Sequence, residues 1–135
     1  MTTKLLNRDD ILKVEDIRRE TVDMRPFGWP GSVVVRGLTG LERGEVEYCM
    51  THFDPSTRES FQKRFRALIL VRGLVGEDGN HLFRAEDVDA LSTKSAAALD
   101  YLTDIAQRLS GYRIADIQEM AKNFLEGQSE DSITD

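Results

Sequence analysis

At 135 residues, with 40% hydrophobic and 31% charged side chains, the chain has the make-up of one globular domain with a real core and is too short for two ordinary ones. A formal charge of −6 argues against broad electrostatic attachment to nucleic acid or anionic membrane. The single cysteine, Cys49, excludes an internal disulfide, and the longest apolar run, residues 67–71, falls far short of the ~20 residues of a membrane-spanning helix.

Residues 1–8 read as a flexible terminus, residues 9–125 as one α+β domain, and residues 126–135 as an acidic, disordered tail without large apolar side chains. The first residues lack the apolar core and cleavage site of a signal peptide, so the expected location is the cytoplasm. Ile11, Leu12, Val14 and Ile17 are spaced for about one helical turn. From Thr21 the period changes to two. Thr21-Val22-Asp23-Met24-Arg25 alternates, residues 32–38 are valine-rich, and Pro26-Phe27-Gly28-Trp29-Pro30-Gly31 forces a turn between them. This predicts a β-hairpin with a long tip.

Thr39-Gly40-Leu41-Glu42 has capping-box spacing and opens a helix that puts Leu41, Val46, Cys49, Met50 and Phe53 on one stripe. Asp54-Pro55-Ser56 ends it and starts the next helix, residues 57–74. That helix carries Phe61, Phe65, Leu68 and Ile69 at helical spacing, and its C-terminal half is the expected centre of the core. Glu77-Asp78-Gly79-Asn80 is a turn, followed by Leu82-Phe83 as an anchor in the core. A short helix over residues 85–91 and a long one over residues 94–109 follow. The long helix shows Leu99, Leu102, Ala106 and Leu109 on one face, with Gly111 where a left-handed cap belongs. Residues 114–125 repeat the stripe with Ile114, Ile117, Ala121 and Phe124. The expected fold class is therefore α+β, helix-dominated: an N-terminal β-hairpin packed on a bundle of about four to five α-helices.

The chemistry-bearing residues do not assemble into a catalytic or metal motif. Placing Asp78 and Asn80 in a calcium loop puts Gly76 at the first ligand position, His81 at the obligatory glycine and Asp87 at the bidentate glutamate, which fails three times. Cys49 and His52 make half a zinc site, with only His81 left to extend it. Cys49 in mid-helix, on the apolar stripe, reads as a buried thiol rather than an activated nucleophile. No nucleophile elbow, phosphate-binding loop or dinucleotide fingerprint occurs. No catalytic residue, metal or cofactor is expected, and the protein is read as a non-enzyme.

Two features suit binding. The helix over residues 57–74 carries Arg58, Lys63, Arg64, Arg66 and Arg72 against Glu59. That is either a basic surface for an acidic partner or RNA, or a solvated face paired with the acidic stretch of residues 77–89. Phe27 and Trp29 at the hairpin tip are either interface anchors or caps on the domain's own core. Phe27, Trp29, Arg64 and Arg66 are the candidate partner-binding residues.

Taken in order, these segments resemble the tail assembly chaperones of long-tailed, non-contractile phages and prophages. The resemblance is carried by the hairpin running into Val35-Arg36-Gly37-Leu38-Thr39-Gly40-Leu41-Glu42-Arg43, then Leu74-Val75 before Glu77-Asp78-Gly79-Asn80 and Leu82-Phe83. Asp87-Val88 with Leu91, residues 95–100 and residues 105–111 complete it, so that it spans residues 9–124. Arg84 stands where a Thr, Ser or Asp cap is expected, and Gly73 falls in a helix that is usually unbroken. The resemblance implies a binding function in the bacterial host cytoplasm. Such proteins associate with the tape measure protein, a long, largely helical chain that sets tail length, and keep it soluble until tail tube subunits polymerise around it. Further partners implied are the tail tube protein and a longer, frameshifted form of the chain itself; a homo-oligomer is allowed, and no membrane is involved. The rivals are a structural head–tail connector or tail-completion subunit, and a small nucleic-acid-binding regulator using the basic helix, residues 57–72.

Overall fold

Among the described residues, three short strands and two long helices enclose the core. The computed structural model describes residues 3–51, 55–112 and 122; the expected helix over residues 114–125, the acidic tail, His52 and Phe53 lie outside them. Helix α1, Arg8–Lys13, is closed at its start by a reciprocal pair: the Asn7 side chain accepts from the Asp10 N–H at 2.8 Å, and the Asp10 carboxylate accepts from the Asn7 N–H at 3.1 Å. It buries none of its residues.

Strands β1, Arg19–Asp23, and β2, Ser32–Arg36, pair antiparallel with Glu20 opposite Val35 and Val22 opposite Val33. That register places Val22, Met24, Val33 and Val35 on the inner face, with Met24 and Val35 fully buried. The tip between them is a 3-10 turn, Arg25–Phe27, stopped by Gly28 in the left-handed conformation (φ 84°). A third strand, β3, Leu74–Val75, pairs antiparallel with β2 and makes the hairpin a three-stranded sheet in the order β1-β2-β3. Two residues are too few to show an alternating pattern, which is why residue 74 looks like the end of a helix in the sequence.

Helix α2, Gly40–Thr51, starts with the expected capping box: Thr39 Oγ accepts from the Glu42 N–H at 3.1 Å, and Glu42 accepts from the Thr39 N–H at 3.0 Å. Its apolar stripe is not the expected one. Val46 is buried, but Leu41 and Cys49 are exposed, because the helix turns Glu42, Arg43 and Val46 toward the body instead. The thiol read as buried is at the surface. Helix α3, Pro55–Gly73, does bury its C-terminal half, through Ala67, Ile69, Leu70 and Val71. Gly73 ends it, and an added Cβ there would lie 3.4 Å from both Ala106 Cβ and the Arg36 carbonyl oxygen, so the glycine suits a close helix–strand junction.

After β3 the Asp78 carboxylate accepts from the Asn80 N–H at 3.0 Å, Gly79 takes φ 84°, and the chain returns so that His81 bridges Val75. Of the expected anchor pair, Phe83 packs on the core, whereas Leu82 is 52% exposed; the return leaves it pointing outward. A 3-10 turn, Ala85–Asp87, leads into α4, Val88–Leu91. The Asp87 carboxylate accepts from the Arg84 N–H at 2.8 Å, so the missing cap at Arg84 is answered from the third position. Helix α5, Ala96–Leu109, capped by Ser95, packs on α3 and the sheet through Ala98, Leu99, Leu102, Ile105 and Ala106. Gly111, with φ 86°, closes it as expected. The architecture is α+β and helix-dominated, with five α-helices among the described residues.

Candidate protein-interaction surfaces

Hydrophobic side chains that a fold leaves in water, and charges it leaves uncompensated, are where partners bind. The first apolar surface is the hairpin tip. The prolines and glycines of residues 26–31 bend the chain so that the Trp29 N–H donates to the Met24 carbonyl at 3.2 Å, and the Met24 N–H to the Gly31 carbonyl at 3.0 Å. Phe27 and Trp29 are thereby both half-buried against the core. The Phe27 ring lies 5.2 Å from that of Tyr101 on α5, tilted by 39°. The two readings of these aromatics are therefore not exclusive: each ring covers the core with one side and meets solvent with the other. Tyr101, 47% exposed, completes the patch. Its signal in the sequence is an aromatic set off the Leu99–Leu102 stripe of an otherwise well-ordered amphipathic helix.

The second apolar surface is a groove of ≈ 530 Å³ along α2, lined by Gly40, Leu41, Gly44, Tyr48 and Cys49 and bordered by Glu45 with Arg72. Leu41 stands 74% exposed at its edge. Two glycines one turn apart open the helix surface here, a spacing visible in the sequence but masked by the assumption that Leu41 faces inward.

The basic helix is compensated from within the chain. Lys63 pairs with Glu59 at 2.7 Å, Arg64 with Asp89, Arg66 with Asp100, and Arg72 with Glu45 at 3.3 Å. Only Asp89 belongs to the acidic stretch expected to supply the partners; Asp100 comes from α5 and Glu45 from α2. Such exposed pairs stabilise little, but they hold the guanidinium groups of Arg64 and Arg66 against the protein's own carboxylates. The side chain of Arg58 lies outside those described.

One polar cluster is better shielded. Arg36 on the outer face of β2 donates to both oxygens of Glu42 at 3.0 Å, and His81 Nε2 lies 2.9 Å from the same carboxylate, with Arg36 only 11% and Glu42 15% exposed. Burial pushes the Glu42 carboxyl up, but the Thr39 N–H, His81 and the Arg36 guanidinium together bring it below its ordinary value of 4.5. A lowered carboxylate pKa stabilises the fold above the unfolded value and loses that contribution as pH falls through the folded one. Denaturant midpoints measured from about pH 6 down to about pH 3 should therefore fall, and Glu42→Gln should flatten part of that slope. An identical slope in the variant would mean that Glu42 is not among the groups that titrate on unfolding. The cluster ties α2 to the sheet and to the β3 return, and it presents no nucleophile. Among the described residues no group of three His, Cys, Asp or Glu side chains could hold a metal ion, and no helix is long and apolar enough to cross a membrane.

No protein-family model and no curated protein matches the sequence. Among solved structures, the chain is similar to the bacteriophage HK97 tail assembly chaperone, with a TM-score of 0.54 and 16% identity, over 69% of this chain and 85% of that one. At that identity the likeness is one of fold, and it falls on the same family that the order of sequence segments resembles.

Proposed function

We propose that this protein, having the fold of a tail assembly chaperone, acts as one: it binds the tape measure protein of a long-tailed, non-contractile phage or prophage in the host cytoplasm and keeps that chain soluble while the tail tube assembles. The observation that carries the reading is the fold shared with the HK97 protein over 85% of the latter. The surface chemistry supports it. A long helical client exposes apolar stripes that aggregate, and copies of a small binder carrying charge −6 both cover those stripes and add like charge that keeps the complexes apart. We take the hairpin-tip patch of Phe27, Trp29 and Tyr101 as the client surface, since rigid aromatics half-seated in a core give contact area at small entropic cost. A nucleic-acid role for the basic helix is disfavoured by the carboxylates already paired with Arg64 and Arg66.

Co-expression with the long helical reading frame encoded nearby tests the proposal. Client that stays soluble only in the presence of this protein, and co-elutes with it at moderate salt, supports it. Client that aggregates regardless rejects it, and recovery of the protein in finished particles would favour a structural connector instead. Joint Phe27→Ala and Trp29→Ala substitution should weaken client binding by about tenfold or more while the far-ultraviolet spectrum is kept. Unchanged co-elution would move the client surface elsewhere.

A further inference from the structure

The hairpin-tip patch does not stop at its aromatic rings. On α5 an exposed stripe runs on from it, because Tyr101, Asp104 and Arg108 are spaced to share one helix face. Both ends of the stripe are fixed to the hairpin: the Tyr101 ring meets that of Phe27, and Arg108 donates to Glu20 on β1 at 2.7 Å. Asp104 stands between those two points. The other charges around the patch are compensated within the chain. Asp23 is held by Arg25 at 2.8 Å, Asp100 by Arg66, and Glu20 by Arg108. Asp104 is exposed and, alone in this set, forms no ion pair among the described residues. Arg108, one turn further on, is the cation that a helix would ordinarily offer it, and Glu20 takes that cation instead. An unpaired carboxylate one turn from a half-seated aromatic is a rim charge. It adds little to the fold and biases which partner can approach.

We infer that Asp104 makes the hairpin-tip patch selective for a helical client segment carrying a lysine or arginine within one turn of the apolar side chain seated on the rings. The inference rests on the reading of that patch as the client surface. The apolar side chain covers Phe27 and Trp29, and the cation settles between the Asp104 carboxylate and the Tyr101 ring, whose face also attracts positive charge. A segment with a carboxylate at that position meets like charge instead and is turned away. The charge of −6 on the whole chain draws basic segments from a distance, but Asp104 ties the preference to this patch.

The chain's single tryptophan is Trp29, so its fluorescence reads this patch directly. The test titrates the full chain with three tryptophan-free amphipathic helical peptides that share a leucine stripe and differ only in carrying lysine, glutamine or glutamate beside it. At low salt the lysine peptide should bind roughly three- to tenfold more tightly than the glutamine peptide, and the glutamate peptide more weakly still. Asp104→Asn, at an exposed position, should remove most of the difference between lysine and glutamine. Asp104→Lys should turn the preference toward the glutamate peptide. Equal affinities for all three peptides in the parent overturn the proposal. A lysine preference that survives undiminished in Asp104→Asn also overturns it, because the preference would then come from net charge. So does the absence of any Trp29 response to all three. The co-expression result reads client solubility, so the proposed function can stand where this selectivity fails.

Discussion

Replacing Gly37 by alanine should cost about 3 kcal/mol of stability and lower the melting temperature by on the order of 10 °C. Gly37 is buried where the chain leaves β2, with its N–H bonded to the Arg18 carbonyl and the next N–H, that of Leu38, bonded to Ser110 Oγ at 2.8 Å. A Cβ at this position would overlap the Leu109 carbonyl oxygen and sit 2.8 Å from the Leu109 carbonyl carbon. The obstacle is backbone at the end of α5, so no side chain can swing aside to make room. Either the strand exit or the helix end must shift, and both carry hydrogen bonds that the shift would stretch. Urea unfolding of Gly37→Ala gives the measurement, and a midpoint equal to that of the parent would mean that α5 does not press on this glycine. Serine, only slightly larger, should behave like alanine.

The other large effect is expected at Leu102. This side chain is fully buried in the middle of α5, within the cluster that joins α3 and the inner face of the sheet. Leu102→Ala removes its contacts and leaves a cavity between elements that cannot close around it, at a cost of roughly 3–5 kcal/mol. The comparison that gives this number meaning is Leu41→Ala, the same chemical change at an exposed position, which should stay within about 0.5 kcal/mol. Thermal unfolding of the two variants side by side checks both. A small effect at Leu102 would mean that α5 can settle into the gap.

How far the sequence could be read depended on the length over which a pattern runs. α5 was the most legible element: its apolar stripe and terminal glycine stand as expected, although it begins at Ala96 behind a Ser95 cap rather than at residue 94. The hairpin was legible because its period of two is bounded by two prolines and two glycines. α2 was misjudged on its buried face, since Leu41, Val46 and Cys49 are too few apolar positions to settle its rotation when three carboxylates are interleaved with them. The real determinant lies off the helix: Arg36 reaches Glu42 and pulls that side inward. β3 was missed because a two-residue strand has no pattern of its own and owes its existence to the edge that β2 offers. The partners of the basic helix were half-read for a related reason. Asp100 and Glu45 are brought to Arg66 and Arg72 only by folding, from 34 and 27 residues away. Of the candidate surface residues, Phe27 and Trp29 stand out in the sequence, while Tyr101 joins them only through the packing of α5 under the hairpin.

Strand β1 forms the outer margin of the sheet, and its five residues, Arg19-Glu20-Thr21-Val22-Asp23, carry three charges and a single buried side chain. Glu20 is held by Arg108 at 2.7 Å, and Asp23 by Arg25 at 2.8 Å. Such a margin is a poor template: an extended chain lying alongside would have to desolvate those charges to gain a few main-chain hydrogen bonds. The client proposed for this protein is prone to coalesce, and a binder of such a chain needs this kind of immunity. It can be crowded against a collapsing chain, many copies deep, without being recruited into the intermolecular β-structure that it would be there to prevent.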